Sequence, residues 1–522
     1  MPSIAAFHKE PSMHPIHLSR LLVLALALAA ADPRGSIAQH TSAPPPALSP
    51  SRDVGVLADS LDRVMPDMLR ELRIPGAAVA VIQDGRVAVM RGYGYADLER
   101  RIPVTPATGF SVGSISKAVT AWGVMRLVDQ GKLELDAPVE RYLTRWHLPP
   151  SEFDASGVTV RRLLSHTAGL SVSGYRGWDH ADSVPSLEAS LAGRSNGAGE
   201  VRIVAPPGAG WAYSGGGYTL LQLLVEEVTG RRFADYMRDE VLRPLGMTSS
   251  SFDLRSGVLR TSAVPYGNLG EPMGTPRFAE EAAAGLHTTL EDMARFAAAL
   301  LPGSGTGDAA AGGVLRRATL EAMLVPAPGT EERWGLGHAF SDFPDGVRRV
   351  GHDGGNRGWQ ASLWVGRDAG DGIIVLTNAS QGWNAGNRVF EAWMTWKTGV
   401  RRPVRAAVAA ALLNALHDGG ANAAASVYAR LKATRADDYF FDERQLNGLG
   451  YALLAAGRTR EAVTLFELNV REYPDAWNPW DSLGDGYAAA GDPENAVRAY
   501  RRSLELNPEN QNAQRMLRTL SP

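Results

Sequence analysis

The chain has 522 residues and a mass of 55.8 kDa, enough for two or three domains of ordinary size. With 53 Lys and Arg against 56 Asp and Glu, its formal charge is −3, which excludes the basic field that nucleic acid binding needs. The 44% hydrophobic and 21% charged fractions are those of a soluble globular protein. There is no cysteine. Disulfides, thiolate metal sites, a cysteine nucleophile and a lipid-modified cysteine are excluded together, and covalent chemistry falls to Ser, Thr, Lys or a carboxylate.

In chain order, Arg20 precedes an apolar run, Leu21 to Ala31, too short to span a bilayer but of the length of a signal-peptide core. Residues 1–38 read as an export signal, cleaved after Ala31 or Ala38, with Met13 as a more usual start than Met1; an uncleaved anchor or buried helix is the alternative. The protein is then periplasmic or secreted, with no stable membrane span. Residues 39–52, with Pro44, Pro45, Pro46 and Pro50, form a stiff spacer. From Asp53 the spacing of Leu57, Leu61, Met65 and Leu69 predicts a helix, and Ala77–Ile82 and Val87–Met90 predict a hairpin across Gln83–Arg86. A second helix follows Ser111, with Ala118, Trp122, Met125 and Val128 on one face and Gly131 as its stop. Thr288-x-x-Glu291 reads as a capping box for a helix carrying Met293, Phe296 and Leu300, and Trp364–Val365 with Ile373–Leu376 as paired late strands. Residues 53–400 are therefore one α+β domain.

Beyond Val400 the composition turns to Ala, Leu and Tyr at helical spacing. Gly457, Ala462, Phe466 and Pro474 recur 34 residues later as Gly491, Ala496, Tyr500 and Pro508, and Trp480-x-x-Leu483-Gly484-x-x-Tyr487 fits the opening of a tetratricopeptide helix pair. Residues 446–479 and 480–513 are clear repeats of a helical region spanning 404–522, and Gly419, Ala424 and Tyr428 mark a degenerate first one. Such pairs bury their apolar faces only by stacking, capping or docking on the preceding domain.

The sharpest chemical feature is Ser114-Ile115-Ser116-Lys117 at a predicted helix start. A spacing of three puts hydroxyl and amine on one face, and the helix N-terminus favours a developing oxyanion. Lys can act as base there only if burial or a second cation lowers its pKa, which requires a pocket. The bland reading is an N-cap serine with a solvated lysine. No H-E-x-x-H or helical H-x-x-x-H is present, so no metal is indicated. Gly303 to Gly307 lacks the residues of a phosphate loop and reads as a flexible surface loop.

The stretch Thr108 to Ala118 resembles the nucleophile segment of the serine β-lactamase and penicillin-binding-protein superfamily, particularly its class C-like hydrolases. Leu163 to Leu170, Pro207-Gly208 with Trp211 to Tyr218, Pro244 to Met247 and Gly351 to Gly355 match further segments in order. The resemblance implies an antiparallel sheet flanked by helices with a helical subdomain. It implies Ser114 as the acylated nucleophile, Lys117 as its activator and Tyr213 as proton shuttle, a phenolate needing a cation such as Lys117 beside it. It also implies His352, Gly354 and Gly355 as the strand that binds substrate, with the N–H groups of Ser114 and Gly355 as oxyanion hole. No cofactor is needed. His166, in a matching segment, reads as structural.

Two departures stand out. Gly215 replaces the Asn of the family's Tyr-x-Asn, which weakens recognition of an acylamino side chain, and Asn356 is a candidate substitute. His352-Asp353-Gly354 stands where many members have Lys-Thr-Gly, and a neutral imidazole anchors a carboxylate poorly. The literal Lys397-Thr398-Gly399 reads instead as a helix end. The expectation is an exported serine hydrolase of ester or amide bonds in a small molecule or peptide, its specificity lying in loops such as Ser173 to Val201, with a repeat tail for a protein or peptide partner. A β-lactamase or D-alanyl-D-alanine carboxypeptidase proper, and a non-catalytic binding protein of the same fold, are the alternatives.

Overall fold

Residues Ala77 to Ile82 are buried on both faces, which suits only a strand inside a sheet covered on both sides. The computed structural model describes residues 53–303 and 309–520. The signal, the spacer and most of the Gly303–Gly307 loop lie outside the described residues. Strands β1 (Gly76–Gln83), β2 (Arg86–Asp97), β3 (Ile102–Pro103), β4 (Ala339–Asp342), β5 (Arg348–Asn356), β6 (Trp359–Gly366) and β7 (Asp371–Thr377) form one antiparallel sheet in the order β3-β2-β1-β7-β6-β5-β4. The expected hairpin is β1–β2; its turn is only Asp84-Gly85, both at positive φ, so the strands run further than their apolar cores. Trp364 opposes Ile373, as the two late apolar runs predict.

Alternation along β1 divides the core. Ala77, Val79 and Val81 face helix α1 (Val54–Glu71) and a late helix, while Ala78, Ala80 and Ile82 face the larger helical region. Within α1, Asp53 accepts from Gly55 N–H at 2.8 Å as N-cap, and Leu57, Leu61, Met65 and Leu69 are buried as their spacing predicts. Helix α2 (Ile115–Asp129) departs from the one-faced pattern: Ile115 to Met125 are buried all round, because the sheet and several further helices enclose it. Helix α3 (Gly215–Thr229) is capped by Ser214, and α4 (Leu290–Ala299) by Thr289, which accepts from Asp292 N–H at 3.2 Å. The cap of α4 is one residue later than the expected Thr288, since Thr288 pairs with Phe110 in a short strand and turns its hydroxyl to Ser250 at 2.6 Å.

Helix α5 (Trp383–Thr398) closes the outer face beside α1 and ends at Gly399, at φ 73°. Lys397 in its last turn pairs with Asp371 and Asp345, so the literal Lys-Thr-Gly is a helix end in the layer across the sheet from α2. The tail then runs through α6 (Val408–Thr434), broken at Gly420 into two helical halves, α7 (Glu443–Ala455), α8 (Thr459–Glu472), α9 (Trp477–Ala489), α10 (Pro493–Leu506) and α11 (Gln511–Leu520). The 34-residue repeat has a steric basis. A Cβ at Gly450 would lie 2.3 Å from the Phe466 ring, and one at Gly484 2.6 Å from the Tyr500 ring, so each glycine seats the aromatic of its partner helix. The tail docks on the preceding domain through Ala410, buried with α1 and α5, and through Asn414, whose side chain accepts from Arg73 Nε at 2.8 Å and donates to Glu71 O at 2.9 Å. Leu269, in a loop of the first domain, packs on the tail's own core.

Candidate active site

Two glycines bring the nucleophile segment against β5. Gly113 sits at φ 49°, and a Cβ on it would lie 2.6 Å from Gly355 N; a Cβ on Gly354 would lie 1.9 Å from Val112 O and 3.0 Å from Ser114 N. No larger residue fits at 113 or 354 without moving backbone. The segment that begins α2 is thereby laid on the edge of β5 beyond its pairing with β4, which ends at Gly351.

Ser114 is the N-cap of α2 but makes no capping bond with its side chain. Its Oγ instead accepts from Lys117 Nζ at 3.1 Å, and Lys117, 2% exposed, also donates to Ala283 O at 2.6 Å. The bland reading, a capping serine with a solvated lysine, is thus excluded by geometry. Burial lowers the Lys117 pKa from 10.5 to about 7, and no carboxylate counteracts it. The rings of Tyr213 and Tyr218 lie 5.0 and 5.8 Å from Nζ. Ala283 belongs to a turn that Gln222 clamps by bonds to Ala279 O and Ala282 N–H, both at 3.0 Å. This carbonyl was invisible in the sequence because only its backbone takes part.

Tyr213 is held from both sides by His166. The His166 carbonyl accepts from Ala212 N–H at 2.8 Å, its Nδ1 accepts from Ser214 N–H at 3.1 Å, and its ring packs against the phenol ring at a tilt of 37°, 4.4 Å between centroids. Because Nδ1 accepts, the proton of the neutral ring is on Nε2; burial first, then Lys117 and His352, hold the pKa well below the ordinary histidine value. The Tyr213 oxygen is buried and has no well-formed hydrogen bond among the described residues. Burial pushes its pKa up, partly offset by the neighbouring Ser114 side chain. The expected phenolate is therefore disfavoured here: the same desolvation discharges Lys117 and keeps Tyr213 protonated.

His352, on β5, is 5% exposed and donates from Nδ1 to Asp353 O. Burial and the nearby Lys117 lower its pKa to about 3, so it is a neutral ring whose remaining Nε2 is an acceptor, without charge to offer a carboxylate. Asn356 does not stand in for the missing amide of Gly215. It donates to Ser111 Oγ at 2.9 Å and Ala284 O at 3.0 Å, bracing the wall beside Lys117. The space at Gly215 is taken by Tyr175, a residue that no motif marked. Among the described residues, no group of three or more His, Asp or Glu could hold a metal ion, and no helix is long and apolar enough to cross a membrane.

An antiparallel sheet with the Ser114 helix against its inner strand is the β-lactamase/transpeptidase-like fold. The Beta-lactamase family profile matches residues 61–392, and a tetratricopeptide repeat profile matches 477–510. The chain belongs to the β-lactamase family, an enzyme family of serine hydrolase type, and carries a tetratricopeptide region behind that domain. It is 32% identical to penicillin-binding protein 4 of Amycolatopsis lactamdurans over 354 residues, 65% of this chain and 90% of that one. It is 26% identical to protein flp of Staphylococcus aureus over 217 residues, a match spanning only 40% of either chain. Among solved structures, the octameric penicillin-binding protein homologue from Pyrococcus abyssi is 27% identical at a TM-score of 0.53, covering 63% of this chain and 74% of that one. SurE, solved with D-Leu, is 28% identical at a TM-score of 0.52, covering 65% of this chain and 74% of that one.

Proposed function

We propose that the chain hydrolyses ester or amide bonds through an acyl-enzyme on Ser114, and the observation that carries this is the buried Lys117 amine, 3.1 Å from Ser114 Oγ with a pKa near 7. Neutral Lys117 takes the Ser114 proton as Oγ attacks the carbonyl carbon, and the N–H groups of Ser114 and Gly355 receive the oxyanion. Tyr213, protonated, passes its proton to the departing alkoxide or amine and is refilled from Lys117. Water then attacks the acyl-serine, Lys117 accepts its proton, and Ser114 recovers its hydrogen as the acid leaves. A neutral His352 and the absence of an amide at 215 favour neutral esters and simple amides over β-lactams or peptides with a free carboxylate; SurE with D-Leu makes D-amino-acid amides the first amide class to test.

The test is labelling by a fluorophosphonate beside a hydrolysis screen of short p-nitrophenyl esters, D-amino-acid amides and nitrocefin. Wild type is expected to label and to cleave the esters fastest, and Ser114→Ala to do neither; equal labelling of the two proteins sinks the proposal. The apolar run Leu21–Ala31 supports export to the periplasm or medium, which N-terminal sequencing of the protein recovered there tests. The tail supports a protein or peptide partner.

A further inference from the structure

The structure assigns Tyr175 as the wall that limits the acyl group in this site, an inference that rests on the acyl-enzyme reading above. Gly215 follows Tyr213 by two residues, and Ser214 between them is extended, at φ −135° and ψ 113°. Positions 213 and 215 therefore face the same way, and the missing side chain of 215 belongs to the cleft that the Tyr213 phenol enters. A Cβ at 215 would lie 3.2 Å from Tyr175 Cε2 and 3.2 Å from Ser173 O. The Tyr175 ring and the Ser173 carbonyl thus crowd the place from which an amide at 215 would project, so that a side chain there must push the ring aside. Glycine at 215 and tyrosine at 175 are one arrangement rather than a loss.

The ring is fixed. Its hydroxyl is 2.8 Å from Thr219 Oγ1, one turn further along α3, and Thr219 is fully buried and donates at 3.1 Å to Gly215 O. Burial, with the Glu280 carboxylate nearby, raises the phenol's pKa, so it stays neutral although Thr219 acts the other way. The loop that carries it is tied on three sides. Asn196 Nδ2 donates to Gly177 O at 2.6 Å, Trp178 and Arg277 exchange backbone bonds at 2.8 and 2.9 Å, and Asp179 pairs with Arg357 in the turn between β5 and β6. With its hydroxyl committed to buried Thr219, the partly buried ring offers carbon to the substrate. The acyl side of the site is accordingly apolar, short and closed, suited to small acyl groups without an acylamino substituent.

The experiment compares kcat/KM for p-nitrophenyl acetate, butyrate and octanoate in wild type, Tyr175→Ala and Tyr175→Phe. Removing the ring is expected to raise the octanoate-to-acetate ratio about tenfold or more, the scale of selectivity that a few methylenes in an apolar pocket carry, while Tyr175→Phe keeps the wild-type ratio. Gly215→Asn supplies a reciprocal test that needs no cavity. Its side chain collides with the ring and lowers butyrate turnover, and adding Tyr175→Ala restores part of that loss. Normal turnover with an unchanged ratio, or a double variant no better than Gly215→Asn alone, overturns the assignment of Tyr175. Absence of Ser114-dependent turnover of all three esters overturns the acyl-enzyme reading, and this inference with it.

Discussion

Lys117 and Tyr213 show how one environment sets two protonation states in opposite directions. Both sit where water is excluded and no carboxylate intrudes, so each loses its charged form. Hydrolysis is therefore expected to rise with pH through about 7 and to level off above it, as kcat/KM measured from pH 5 to 9 will show. The same shift has a stability sign. Between pH 7 and 10.5 the unfolded chain binds a proton at Lys117 that the folded chain does not, so folded stability rises with pH across that window. Lys117→Met is expected to abolish hydrolysis yet raise the melting temperature, the gain being largest at or below pH 7 and shrinking toward pH 10; a gain independent of pH contradicts the assignment. His166 contributes at this scale without touching substrate: its backbone and ring together fix the two residues on either side of Tyr213.

At the scale of elements, the site is the contact between the start of α2 and the free edge of β5, and glycine makes it possible. Gly354→Ala would set a methyl 1.9 Å from Val112 O, and the displacement passes directly to Ser114. A loss of kcat/KM of about 100-fold is expected, the cost of an ångström of misplacement, with a modest fall in melting temperature; full activity contradicts this account of the contact. Much of this was legible in the sequence. Ser114-x-x-Lys117, Tyr213 and His352-x-Gly354 lie on three separate elements, and the family pattern named them before any geometry brought them together. The repeat was legible because its glycine and aromatic positions are held by direct side-chain contact. What was not legible acts through backbone or long-range packing. Ala283 contributes only a carbonyl, and Tyr175 meets Gly215 from a loop 40 residues away, as no local pattern announces. The all-round burial of α2 was missed for the same reason, since periodicity describes one helix and not what surrounds it.

At the scale of the whole molecule, the tail is fastened by α6 to α1 and α5, the layer across the sheet from Ser114. Asn414→Ala removes both polar contacts at that joint, a loss of about 1 kcal/mol for each bond. Limited proteolysis between α5 and α6 is expected to quicken while ester hydrolysis is unchanged; a parallel fall in hydrolysis would mean that the tail shapes the site. The sheet itself carries a further consequence, for how the chain reaches this structure. Its central pairing sets Ala77 against Thr377, so the two inner strands are separated by nearly the whole domain. Contacts so distant in sequence form late and slowly. Until β7 has been synthesised, β1, apolar on both faces, has only β2 beside it. The domain cannot finish folding on the ribosome ahead of its last strand, and Ala77–Ile82 is the segment that a holding chaperone would meet first.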